Sequence, residues 1–212
     1  KNLDILSADK EVLADPAKYY DEYYEIDLST LEPHLVGPHS PDIARPISQI
    51  AKEAKEKGWP TELSAALVGS CTNSSYEDLG RATFVAKQAL NANIKMKQPF
   101  FISPGSTQIQ KTIERDGQME VLKNVGATIL ANACGPCIGQ WKREEIPGAT
   151  NNKSFTGKNT IVTTFNRNFR GRNDGNPETL AFIGSPELVM ALGLAGKLDF
   201  NPLTDKIDGT LK

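Results

Sequence analysis

The sequence predicts an α/β fold: three layers, α/β/α, around a mostly parallel sheet. Short β-branched or aromatic apolar runs recur at Ala65–Ser70, Pro99–Ser103, Thr128–Ala131, Asn159–Phe165 and Ala181–Ile183. Segments with apolar residues at helical spacing separate most of them. Such alternation implies a largely parallel sheet covered on both faces. Residues 21–200 are expected to form this domain, residues 1–20 a short helix and connector, and residues 201–212 the start of a linker.

A chain of 212 residues can bury a sizeable core as one domain. Its net charge of −2, with 24% charged residues, implies no nucleic acid or other polyanion partner. No apolar run approaches the roughly 18 residues of a membrane span, so no membrane is implied. Three cysteines are odd in number and sparse, which argues against a secreted disulfide framework. The chain opens Lys-Asn-Leu, without Met or a targeting segment, and is expected to be processed or cut from something longer.

In chain order, Tyr23–Leu28 alternates apolar and polar residues and predicts a strand. Prolines at 33, 38, 41 and 46 predict an extended loop over 31–46, carrying His34 and His39. Ser48–Lys57 has helical spacing and stops at Gly58. The strand at 65–70 leads into Gly69–Ser75, rich in small capping side chains, and then a helix over about Tyr76–Leu90. Cys71 therefore falls near a helix N-terminus, whose partial positive charge favours a thiolate. Pro99–Ser103 exits through Pro104–Ser106 into a helix that is broken near Gly117 and resumes to Val125. Thr128–Ala131 then opens a loop holding Cys134 and Cys137, with Gly135 and Pro136 forcing a tight turn between them. Residues 142–159 predict a polar surface excursion. Asn159–Phe165 exits into Asn166–Asp174, Asn176-Pro177 introduces a helix-like stretch, and the last helix has Ser185 as N-cap, Pro186 first and Gly196 as stop.

Ligands of parallel sheets bind beyond the carboxyl ends of the strands. That rule gathers Cys71, Ser106, Cys134, Cys137, Asn166, Arg167 and Arg172 along one edge. Four readings of the thiols stand side by side. Cys134-Gly-Pro-Cys137 is a tetrapeptide also used by thioredoxin-like redox proteins, but it leaves Cys71 unexplained. A structural zinc needs a fourth ligand, for which only His34 or His39 could serve; otherwise both histidines are plain loop residues. The cysteines could also be three unrelated core residues. An iron–sulfur cluster suits soft thiolates, and three would leave one iron of a cubane open, as a Lewis-acid catalyst requires. Arg167, Arg170 and Arg172 read either as a solvated basic loop or as guanidinium forks for carboxylates. A cluster acting on a polycarboxylate unites the two sets, with Asn166 able to donate to a cluster sulfur.

Val68–Asp78, Ala131–Trp141 and Phe165–Asp174 together resemble the signature segments of the aconitase family, closest to its mitochondrial type. The resemblance covers nearly the whole chain and is closest to the family's third domain, with a tail of the second. It implies that Cys71, Cys134 and Cys137 ligate a [4Fe-4S] cluster, that Arg167 and Arg172 bind substrate carboxylates, and that Asn166 lies beside the cluster. The implied activity is a hydro-lyase reaction of a small tricarboxylate, citrate to isocitrate through cis-aconitate, in the mitochondrial matrix. The implied partners are the remaining domains of the same polypeptide. The family's catalytic serine and its acid–base partners match nothing here, so no catalytic residue is expected in this chain, and in isolation it should be inactive. Two departures stand out: the loop at about 142–158 is longer than the family pattern, and Arg170 replaces a small polar residue. Either fits a relative acting on homocitrate or homoaconitate; the alternative of another kind is a non-catalytic iron–sulfur or metal-binding module.

Overall fold

Strand β3 (Leu63–Val68) lies inside the sheet, and nearly every side chain along it is buried, as expected of a strand covered on both faces. The computed structural model describes residues 3–132, 135–143 and 157–207. The chain divides into two units, Lys1–Glu32 and Pro33–Lys212.

The first unit holds helix α1 (Leu3–Leu6), helix α2 (Lys10–Ala14) and a 3-10 turn at Pro16–Lys18. The strand expected over Tyr23–Leu28 is absent. Tyr23, Tyr24, Ile26 and Leu28 are all exposed there. Alternation becomes a strand only when a neighbour satisfies the backbone groups and covers the apolar face, and among the described residues no strand pairs with this segment.

The second unit runs β1 (His34–Val36), β2 (Ala44–Pro46), α3 (Ile47–Lys57), β3, α4 (Tyr76–Asn91), β4 (Phe100–Ile102), α5 (Thr107–Arg115), α6 (Gln118–Asn124), β5 (Ala127–Ile129), β6 (Asn159–Thr163), β7 (Thr179–Ile183) and α7 (Pro186–Ala195). The strands form a mixed, mostly parallel seven-stranded sheet in the order β2-β1-β7-β6-β3-β4-β5. The five strands from β7 to β5 pair in parallel. β1 lies antiparallel to both β2 and β7. The proline-rich segment expected as a loop thus contributes two short strands. Its prolines fall at strand ends or in the connecting turn, where a missing N–H breaks no ladder. Asn176-Pro177 likewise introduces β7 rather than a helix.

Alternate residues face two cores. Ala66, Val68, Phe100, Ile102, Val162, Leu180 and Phe182 join the larger core, with residues from helices α3 to α7. Ala65, Leu67, Phe101, Ile161 and Ala181 face the smaller one, where Phe165, Trp141 and Cys137 cover them. Phe101 and Trp141 meet edge to face at 5.5 Å. Among the described residues, the segment from Pro136 to Trp141 lies over this second face and joins the candidate site to the core.

Helix ends follow local chemistry. Ser75 caps α4 in a reciprocal capping box with Asp78. Ser185 caps α7, and Gly58 and Gly196 end α3 and α7 in the left-handed conformation. Gly69, just past β3, has φ +124°, and a Cβ there would lie 2.0 Å from the Ser103 carbonyl oxygen. Only glycine lets the exits of β3 and β4 approach this closely.

Candidate functional site

The sheet reverses its winding between β3 and β6. From β3 the chain steps outward to β4 and β5, then returns to β6 on the other side of β3. The loops leaving two adjacent parallel strands part there, the place at the carboxyl edge where such sheets form their ligand crevice. Thr164, at the exit of β6, ties the crevice together: its hydroxyl accepts from Gly69 N at 2.8 Å, and its carbonyl accepts from Asn73 Nδ2 at 2.6 Å. The backbone after β3 curls around Ser70, whose hydroxyl accepts from Thr72 N and Asn73 N at 3.1 and 3.0 Å. Cys71, beside this turn, is an exposed thiol.

A run of long polar contacts crosses the crevice. Cys71 Sγ lies 3.6 Å from Thr72 Oγ1, Asn166 Nδ2 donates to Thr72 Oγ1 at 3.5 Å, and Cys137 Sγ donates to Asn166 Oδ1 at 3.7 Å. Asn166 therefore touches both loops that carry a described cysteine. Cys134 lies outside the described residues. Among the described residues no three His, Cys, Asp or Glu side chains form a metal-sized group. Among the described residues His34 and His39 form no such group with Cys71 and Cys137. The redox reading wants a helix opening at the cysteine pair. Instead a single 3-10 turn, Pro136–Ile138, is ended by left-handed Gly139 at φ +89°.

Arg172 is half-buried and donates through Nε to the Cys137 carbonyl at 2.9 Å, which locks it to the cysteine loop. Arg167 is exposed and donates to the Asn166 carbonyl at 2.8 Å. Both guanidinium groups thus stand on the residues that frame the crevice. Arg170, also exposed, lies near His39 instead. His39 pairs by a β-bridge with Phe169. Burial holds its pKa below the ordinary imidazole range, Arg170 lowers it further, and Glu178 opposes them. His34 is an exposed strand residue opposite Pro46. Ser106 is occupied as the N-cap of α5, accepting from Ile109 N at 3.1 Å.

Three supporting residues were not singled out by the sequence. Asn73 joins the exits of β3 and β6. Asn168 is fully buried under the arginine loop and donates to the Ala181 carbonyl at 3.1 Å. Arg143, in the segment expected as a surface excursion, is buried against Asp174 at 3.1 Å. The remainder of that excursion, residues 144–156, lies outside the described residues.

A family model for the aconitase family (aconitate hydratase) matches residues 3–196. The chain belongs to the aconitase family. It is 55% identical over 194 residues to the probable mitochondrial aconitate hydratase of Dictyostelium discoideum, covering 92% of this chain and 24% of that protein. Two Saccharomyces cerevisiae proteins are each 52% identical: the mitochondrial aconitate hydratase, with 96% of this chain and 25% of the relative covered, and the mitochondrial homocitrate dehydratase, with 92% and 24%. The chain spans about a quarter of the length of these relatives. For this aconitase-family chain the chemistry of the donor set fits a thiolate-held cluster. One thiol is exposed and a second half-buried on loops joined by Asn166, so two soft ligands lie at the same strand exits.

Proposed function

We propose that this chain is the cluster-bearing part of an aconitase-family hydro-lyase that converts citrate to isocitrate through cis-aconitate. Cys71, Cys134 and Cys137 are the proposed ligands of its [4Fe-4S] cluster. The observation that carries the reading is the connection of Cys71 to Cys137 through Thr72 and Asn166, at the crevice where Arg167 and Arg172 are also anchored. When bound, such a cluster supplies a Lewis-acid position at an iron without a protein thiolate.

The chain's own residues bind and orient. Arg172 is restrained at Nε by the Cys137 carbonyl, a bond that does not use its two Nη groups, which form a planar pair of donors. Such a pair holds a carboxylate bidentately, and a lysine cannot reproduce it. Arg167 adds a second cation beside Asn166, so two carboxylates of one tricarboxylate can be held. Asn166 presents an amide between the two cysteine loops, with an N–H donor suited to a sulfur and a carbonyl that accepts from a thiol. Proton removal at carbon and protonation of the leaving hydroxyl fall to groups on the remaining domains of the same polypeptide. A mitochondrial matrix location belongs to the proposal, since these relatives are named mitochondrial.

A second reading rests on the homocitrate dehydratase, which is as similar to this chain as the aconitate hydratase from the same organism. One experiment separates them. Full-length protein reconstituted anaerobically with iron and sulfide should show cluster absorbance and an EPR signal after mild oxidation, and should hydrate cis-aconitate. A markedly higher kcat/KM for the one-carbon-longer homologue would favour homocitrate dehydration. Absence of both cluster and turnover would overturn both readings.

A further inference from the structure

We propose that Arg143 and Asp174 are positioning residues that set the register between the cysteine loop and the arginine loop. The inference rests on the reading of those loops as the cluster and substrate site. Cys137 lies six residues before Arg143, and Arg172 lies two residues before Asp174. The two loops descend side by side from the carboxyl edge, over the second face of the sheet, and meet at this pair. Cross-links mark the descent: Arg172 Nε to the Cys137 carbonyl at 2.9 Å, Asn173 Nδ2 to the Pro136 carbonyl at 3.3 Å, and Trp141 N to the Asn173 carbonyl at 3.3 Å.

The pair closes the far end. Arg143 Nη1 reaches Asp174 Oδ2 at 3.1 Å, with only 3% and 4% of the two side chains exposed. Arg143 also donates to Asn159 Oδ1 at 2.7 Å and to Ser64 Oγ at 2.6 Å. Asp174 accepts from Thr179 Oγ1 at 2.7 Å and from Asn176 N at 3.0 Å. Ser64, Asn159 and Thr179 lie at the starts of β3, β6 and β7, so the pair is bolted to the amino ends of three strands. Arg143 also stacks over Trp141 at 5.5 Å. A buried ion pair is a poor device for stability alone, because packed apolar residues serve as well. Its directional bonds instead admit one arrangement of the two loops. Side chains that orient metal ligands and their neighbours from behind commonly govern retention of the bound group.

The test uses full-length protein carrying Arg143→Lys, Asp174→Asn or the apolar pair Arg143→Met/Asp174→Leu. In cluster-free protein, hydrogen exchange of segments 137–143 and 166–174 should accelerate together in each variant, while β3 and β4 keep wild-type protection. In reconstituted protein, cluster absorbance should bleach roughly ten-fold faster under an anaerobic chelator, and KM should rise more than kcat falls. The apolar pair should recover thermal stability without recovering cluster retention or KM. If it restores all three, or if the two segments exchange independently, the pair is a structural anchor only and the proposal falls. Failure of all three variants to fold would have the same meaning. If wild-type protein holds no cluster, the proposed function fails, while the exchange experiment still decides whether the pair couples the two loops.

Discussion

Asn166 lies between the two described cysteine loops, its amide facing Thr72 on one side and Cys137 on the other through long contacts of 3.5 and 3.7 Å. Thiols on loops fastened this weakly to each other are held chiefly by the loops' own anchors, and a bound cluster would add the missing restraint. Cys71→Ser in full-length protein should therefore abolish or strongly weaken cluster binding, read as lost visible absorbance after reconstitution. A normal cluster in that variant would refute the three-thiolate model. Arg172→Lys keeps the charge but loses the fork, and should lower kcat/KM by roughly ten-fold or more, about 1.4 kcal/mol, with the cluster spectrum unchanged. Unchanged kinetics would return Arg172 to an ordinary loop cation. His39 gives a pH prediction. Its pKa is lower folded than unfolded, through burial and Arg170 against the opposing Glu178, so the unfolded chain binds the proton more readily. The resulting stability is whole above the ordinary imidazole range and is lost as pH falls through the lowered pKa. His39→Asn, which tolerates the positive φ of 65°, should flatten urea midpoints plotted between about pH 7 and pH 5. An unchanged slope would show that His39 does not titrate with folding.

At the scale of elements, the site is built from strand exits, and their closeness is set by glycine and by caps. Gly69→Ala would place a Cβ against the Ser103 carbonyl at a φ that L-residues avoid. It should cost about 3 kcal/mol or more, measured by denaturant unfolding. Ser75→Ala removes the side-chain half of the α4 capping box and should cost about 1 kcal/mol, with cluster chemistry little changed. The capped helices were the most legible elements: Ser48–Lys57 and the last helix agree with α3 and α7 to within a residue, because Gly58, Ser185, Pro186 and Gly196 act locally. The parallel strands were legible for a related reason, since burial on both faces leaves unbroken apolar runs. Strand pairing that depends on a distant partner was not legible. Tyr23–Leu28 has the alternation but no strand partner among the described residues, whereas the proline-rich residues 34–36 and 44–46 gain neighbours in each other and in β7. Arg143 was hidden for the same reason: a charged residue in a polar stretch reads as surface until the fold brings Asp174 and Asn159 to it.

For the whole molecule, the candidate site is an open edge. Cys71, Asn166 and Arg167 are exposed along the carboxyl side of the sheet. Of the seven residues that the strand-exit rule gathers, the structure places Cys71, Cys137, Asn166, Arg167 and Arg172 on joined loops and Ser106 at a helix cap, while Cys134 lies outside the described residues. The proposed pair of carboxylate-binding arginines and the proposed cluster would hold a substrate but would not move protons on carbon. The second unit has its own buried core, so the isolated 212 residues should fold cooperatively and show negligible turnover. Turnover comparable to the full-length protein would mean that an acid–base pair lies within this chain. The central claim, that these loops hold a [4Fe-4S] cluster through Cys71, Cys134 and Cys137, is tested most directly by anaerobic reconstitution of full-length wild-type protein followed by EPR. The account predicts a cluster signal in wild type that each single Cys→Ser replacement removes or greatly weakens. A wild-type protein that takes up no cluster, or a signal indifferent to all three replacements, would contradict it.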